Sequence, residues 1–239
     1  MQANPAIKDR RSGTTPAGEG RGAWLTALDL GAELLQTKAP LHGFDVYVVG
    51  FHPARDEPDM QMEAHHYCKV VNDDFLQCAL FDGNTKDANL IGIEYIVSER
   101  LFATLDREER TYWHPHNFEV LSGQLVAPGL PEAAEKALMK RLINSYGKTW
   151  HLWHTDGDGA TRLPLGDPKL MWSFNREGES DERMKRDRNE AMGIDTEAKR
   201  ADRQSFVELA HPQEGVDLLK GHFPGSTPVP GVVDVRATT

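Results

Sequence analysis

Four runs between Gly43 and Ser98 carry β-branched and aromatic residues in short blocks broken by polar turns. They are "GFDVYVVGFH" from Gly43, "MQMEAHHYCKVV" from Met60, "FLQCALFD" from Phe75 and "LIGIEYIVS" from Leu90. Val, Ile, Tyr and Phe at this density favour extended chain. The connections are short, so the runs are expected to pair antiparallel, because a parallel pair needs a long crossover. Ser98 reads as the N-cap of a helix over "ERLFATL", and "DREERTYW" as a further helical turn. "HNFEVLSGQLVAP" reads as a return to extended chain.

The helical signals are of three kinds. In "PGLPEAAEKALMKRLINSYG", Pro131 stands at the start, good helix formers fill the interior and Gly147 is expected to end it. "WLTALDLGAELLQ" places Leu25, Leu28, Leu30, Leu34 and Leu35 near helical spacing, which predicts a short amphipathic helix packed on the sheet. "EGESDERMKRDRNEAM" and "TEAKRADRQSFVELA" predict exposed helices with opposite charges paired four residues apart. "KTWHLWHTD" and "KLMWSFN" complete the strands. Strands, then a helix, then strands give an α+β fold: a mostly antiparallel sheet flanked by helices. Residues 1–22, rich in Gly, Pro and charge, read as a disordered tail, residues 23–210 as a single domain and residues 211–239 as an extended arm or tail.

Composition narrows the function. The formal charge of −10 argues against nucleic acid, which needs a dense basic face, and against an anionic membrane. No apolar run is long enough for a transmembrane segment, and the N-terminus lacks the apolar stretch of a secretory signal. With only Cys68 and Cys78 and no export signal, a cytoplasmic, reducing location is the expectation, although the two could bond if they lie on adjacent strands.

Eight of the ten histidines fall between His42 and His154, in the strand-bearing segment. Alternation places Met62, Ala64, His66 and Cys68 on one apolar face of their strand, and Glu63, His65 and Tyr67 on the other. His66 then reads as a core residue, and His65 as the better ligand candidate on the polar face. "WHPHNFEV" supplies His114 and His116, two apart, able to reach one ion from extended chain. Pro115 argues for an edge or loop there. In a strand, Glu119 would face away from both histidines and needs a bend to join them.

Three imidazoles with an open position suffice for a mononuclear zinc, iron or copper site, so His65, His114 and His116 are the predicted metal ligands. Glu63, Glu94 and Glu119 are the candidates for a completing ligand or general base in a metal-dependent hydrolase or oxidase. Glu94 interrupts an apolar strand, and a carboxylate there needs a partner: a metal, a histidine, Lys69 or Arg100. A further reading is a small apolar ligand in a pocket lined by Trp113, Trp150, Trp153 and Trp172. Oligomeric state is not written in the pattern.

The blocks "FDVYVVGFH", "QMEAHHYC", "QCALFDGNTKDANLIGIEYIVSERLF", "WHPHNFEVLSGQLVAPGLPEAAEKALMKRL", "YGKTWHLWHTD" and "LPLGDPKLMWSF" occur in order over residues 23–210. In this the chain resembles the oil-body-associated protein family, first noticed in plant seeds, with relatives in fungi and bacteria. The resemblance implies association with oil bodies and an influence on their shape or stability, with no catalytic activity attached. It assigns no ligand role to any of the histidines. A protein peripheral to lipid bodies, touching lipid through a surface patch or the "WLTALDLGAELL" helix, is therefore the alternative to a metal enzyme.

Overall fold

The computed structural model describes residues 7–157 and 159–238. Four antiparallel strands run in sequence, β1 (Val46–Pro53), β2 (Gln61–Asn72), β3 (Phe75–Phe81) and β4 (Leu90–Val97). Chain then passes through two single-turn helices, α2 (Glu99–Phe102) and α3 (Arg107–Arg110), to a two-residue strand β5 (His114–Pro115). The Ser98 and Asp106 side chains cap α2 and α3, accepting from Leu101 and Glu109 N–H groups. Next come helices α4 (Asn117–Leu121) and α5 (Glu132–Leu142), then strands β6 (Tyr146–His151) and β7 (Lys169–Met171), and helices α6 (Glu182–Met192) and α7 (Thr196–Asp202).

The sheet order is β1-β2-β3-β4-β6-β5, with β7 also on β6. It curls until β7 meets the far end of β1. Trp172 N–H donates to the Pro53 carbonyl at 2.8 Å, and Arg55 N–H to the Leu170 carbonyl at 2.9 Å. Curling gives the sheet an inside, and alternate residues of every strand face it. β3 shows this in its burial: Leu76, Cys78 and Leu80 are buried and their neighbours are not. α4 and α5 close the interior with Phe118, Val120, Leu121, Met139 and Leu142. Cys68 and Cys78 sit directly opposite in the β2–β3 register and are joined as a disulfide.

Several sequence expectations change here. Residues 116–121 are not extended. His116 begins the buried turn of α4, because Phe118, Val120 and Leu121 gain more from facing the core together than from alternating across a strand. α5 stops at Leu142, and Gly147 lies inside β6 instead of ending a helix. The first helix, α1 (Ala23–Leu35), does not pack on the sheet: none of its residues is buried, and Trp24 and Leu35 are 75% and 88% exposed. Its stripe fixes which positions want cover, not what provides it.

The expected N-terminal tail begins with Met1–Ala6, which lie outside the described residues. The chain that follows runs along the sheet, with Arg10 against Glu63, Ser12 bonded to Asp82 and Thr14 to the Thr155 carbonyl. The C-terminal arm is likewise tied down. Gln213 is buried, accepting from Asn117 N–H and donating to the Ser145 carbonyl.

Nor are the charged helices simply exposed. Arg188 of α6 is buried over the Phe51 ring, and Arg203, just after α7, is buried with it. Arg203 donates to the carbonyls of Val120 and Leu125 at 2.9 and 2.8 Å and pairs with Glu135 at 3.2 Å. These bonds anchor the turn that carries Glu119. Replacing Arg203 by Ala takes the donor from the Leu125 carbonyl, one of two from the Val120 carbonyl and the buried cation from Glu135, which keeps Lys199 and Ala127 N–H. The expected cost is about 3–5 kcal/mol, the range for removing one partner of a buried ion pair. Urea unfolding measures it, and a change under about 1 kcal/mol, the scale of an exposed ion pair, would show that water replaces the guanidinium.

Candidate metal centre

The inward positions of five strands bring together an unusual set of polar side chains. They are His52 from β1, His66 from β2, Glu94 from β4, His114 from β5 and His151 from β6, with His116 and Glu119 from the α4 turn. All are 0–4% exposed. Gly147 of β6 makes the room. A Cβ there would lie 2.2 Å from Glu94 Oε1 and 2.7 Å from His114 Nε2, so no larger residue fits while both side chains keep their places.

Glu94 is the centre. Its Oε2 is 2.9 Å from His66 Nε2, and its Oε1 is 3.4 Å from both His114 Nε2 and His116 Nε2. Of the partners its strand context demanded, histidines supply the contact and Lys69 and Arg100 do not. His114 Nε2 and His116 Nε2 are 3.2 Å apart, and Glu119 Oε2 is 3.8 Å from His116 Nε2. The bend required to bring Glu119 to the histidines is the α4 turn.

The tautomers follow from the hydrogen bonds behind the rings. The Ser145 hydroxyl donates to the Leu142 carbonyl, so His116 Nδ1–H must donate to Ser145 Oγ, at 2.7 Å. In the neutral ring the Nε2 lone pair is then left facing Glu94 and His114. His66 faces two acceptors, the Ala64 carbonyl 3.1 Å from Nδ1 and Glu94 Oε2 2.9 Å from Nε2, and a neutral ring can donate to only one of them. Lone pairs directed at one another in a dry interior are costly unless a proton or metal cation lies between them. Glu94 Oε1, Glu119 Oε1 and His114 Nδ1 are buried without a hydrogen-bond partner.

Titration reflects the same crowding. Burial alone would raise the Glu94 carboxyl, but His114, His116 and His66 hold it well below the ordinary range. Burial and then the Glu94 charge push Glu119 well above it. Burial pulls His52 and His114 down, and His151 to about 3, so these imidazoles are neutral at pH 7 and keep a lone pair to offer.

Among the described residues, three groups of potential donors lie within 4.8 Å of one another: His52–His66–Glu94, His52–His114–Glu119 and Glu94–His114–His116. Of the sequence-predicted site, the structure gathers His114, His116, Glu94 and Glu119. It does not bring in His65 or Glu63, which occupy the opposite face of β2. Tyr47 hydroxyl donates to His65 Nδ1 at 2.6 Å, and His65 Nε2–H donates to Glu63 Oε1 at 3.0 Å. Both ring nitrogens are thus engaged. Glu63 is also held by Arg10 at 2.8 Å.

His66 and His52 are the residues that sequence reasoning passed over. The alternation that set His66 inward was sound. As expected of a core histidine it is buried and hydrogen-bonded, and its partner is the inward Glu94 two strands away. Trp113 and Trp172 line one surface cavity of about 580 Å³ with Arg55, Arg107 and Arg110, whereas Trp150 and Trp153 lie elsewhere. The Trp172 ring lies 6.1 Å from that of His114, between the cavity and the cluster.

A family described as "Protein of unknown function (DUF1264)" matches residues 38–207. The chain belongs to this family. Its relatives include oil body-associated protein 1B of Arabidopsis thaliana, 36% identical over 208 residues, covering 87% of this chain and 84% of that one. Oil body-associated protein 2B of the same plant is 40% identical over 197 residues, covering 81% and 78%. Oil body-associated protein 1A of Zea mays is 36% identical over 192 residues, covering 80% and 79%. No solved structure matches the chain. The buried cluster of this DUF1264 protein lies wholly inside the matched segment, whereas α1 precedes it.

Because Glu119 ionises less readily in the folded than in the unfolded chain, its own contribution to metal-free stability is full below about pH 4, the unfolded glutamate range. It falls as pH rises through the elevated folded value. Glu119→Gln removes that loss. The chelator-treated variant is expected to have a higher urea midpoint than wild type at pH 7, converging near pH 4. Parallel pH profiles would show that Glu119 is compensated.

Proposed function

We propose that this family member holds a divalent transition-metal ion inside its curled sheet, with His114, His116 and Glu94 as ligands and Glu119 beside them. The observation that carries the reading is the convergence of His114 Nε2, His116 Nε2 and Glu94 Oε1 within 3.2–3.4 Å, with the His116 Nδ1 proton already taken by Ser145. Two carboxylates and neutral imidazoles match one dication in charge, and the donor set of nitrogen and oxygen suits zinc, iron or copper. Zinc or iron would serve hydrolysis or oxidation there, with Glu119 in the general-base position.

Elemental analysis of untagged, as-isolated protein tests this. Expected are stoichiometric metal in wild type, its loss in His114→Ala and its retention in His65→Ala. Wild-type protein that stays metal-free after incubation with zinc, iron(II) and copper would end the reading.

A second reading concerns location and rests on α1. The relatives' names place those proteins at oil bodies. Among the described residues here, no helix is long and apolar enough to cross a membrane. α1 offers Trp24, Leu25, Leu28, Leu34 and Leu35 to solvent, while its polar side carries Asp29 and Glu33 and no base. Such a helix suits the uncharged surface of a neutral-lipid body, where apolar insertion supplies the attraction, better than an anionic membrane.

The protein would then be peripheral to lipid bodies from the cytoplasmic side, with α1 as its anchor. Flotation with triacylglycerol droplets is the measurement. Deleting residues 23–36 should abolish co-flotation, and Leu28→Glu with Leu34→Glu should weaken it at least about tenfold, since each buried leucine is worth about 1.5–3 kcal/mol. Undiminished flotation of the deletion would assign attachment to another surface.

A further inference from the structure

We propose that the cluster is a two-ion site, with Glu94 bridging one transition-metal ion held by His114 and His116 and a second held by His66 and His52. This rests on the metal reading above and extends it to the ligands and stoichiometry of a second position.

The two oxygens of Glu94 serve different sets of imidazoles. Oε1 faces His114 and His116 at 3.4 Å, and Oε2 faces His66 at 2.9 Å. A carboxylate that only completed a mononuclear site would leave Oε2 to a hydrogen-bond donor. His66 Nδ1 lies 3.1 Å from the Ala64 carbonyl, which leaves Nε2 as the nitrogen that faces Oε2. His52 completes the second set. Its ring packs edge-on against that of His66 with centroids 5.1 Å apart, and one of its nitrogens lies within 4.8 Å of the donor atoms of both His66 and Glu94. His52 also forms a group with His114 and Glu119, which ties the two positions into one continuous cluster.

Paired dications in enzymes sit about 3.5–4 Å apart, a span that one carboxylate bridges with an oxygen on each. The second ion brings charge that Glu94 and Glu119 alone do not cancel. Water on such an ion would lose a proton near neutral pH, and the hydroxide charge would offset part of it.

The competing arrangement is a protonated His66 paired with Glu94 beside a single ion. Titrating metal-free, untagged protein with cobalt(II), followed by d–d absorption and confirmed by elemental analysis after desalting, separates the two. The two-ion site predicts saturation at two equivalents in wild type, one in His66→Ala and one in His52→Ala, with thermal melts confirming that the variants fold. Using two variants guards against one that fails to fold, and His65→Ala, on the opposite face of the strand, should still bind two. Exchange coupling between the ions should appear in wild type by variable-temperature magnetic susceptibility and vanish in His66→Ala.

One equivalent in wild type, unchanged by His66→Ala, would overturn the second position and leave the first standing. Two equivalents both retained in the His66 and His52 variants would place the second ion elsewhere and also overturn it. No binding in wild type would remove both readings.

Discussion

A carboxylate in the middle of an apolar strand has to find positive charge or a proton, and the architecture around Glu94 answers to that need. Its strand is flanked by β3 and β6, and its side chain is buried. Burial of this kind normally neutralises a carboxyl by raising its pKa. Here His66, His114 and His116 reverse the effect and keep it ionised. The second carboxylate, Glu119, has no such support and goes the other way. Two acids held by one histidine cluster are thus displaced in opposite directions, and the donor groups around them are ones that could hold a cation.

The elements that supply the histidines are each held by something other than the histidines. β5 is only two residues long, yet its pairing to Tyr146 and Gly147 sets His114 over a glycine that leaves space for it. Ser145 orients His116 from behind, and Gln213, from the C-terminal arm, fastens both Ser145 and Asn117. Arg203 fixes the far end of the α4 turn. Such a preorganised shell determines which nitrogen of each ring faces inward, and a metal's affinity depends on that choice as much as on the identity of the ligand.

The buried cluster and the exposed apolar helix lie in different parts of the chain. The cluster is sealed in the curled sheet within the segment that defines the family. The apolar helix α1 precedes that segment and shares no buried surface with it. Attachment to lipid through α1, as proposed, would therefore leave the cluster undisturbed.

Local pattern determined the strands, their antiparallel order, the Ser98 cap and the presence of an imidazole-rich core with Glu94 in need of a partner. Those features depend on side-chain alternation and turn length, which neighbours in sequence decide. It also determined that His65 and His66 point to opposite faces. Which face encloses the site depended on the sheet's curl and on the return of β7 to β1, contacts more than a hundred residues apart in the chain. That closure buried His66 with His52 and Glu94, and it left His65 outside, bonded to Tyr47 and Glu63. The burial of Arg188 and Arg203 and the exposure of α1 were decided in the same way, since a stripe of residues states a preference and only the assembled fold supplies the surface that meets it.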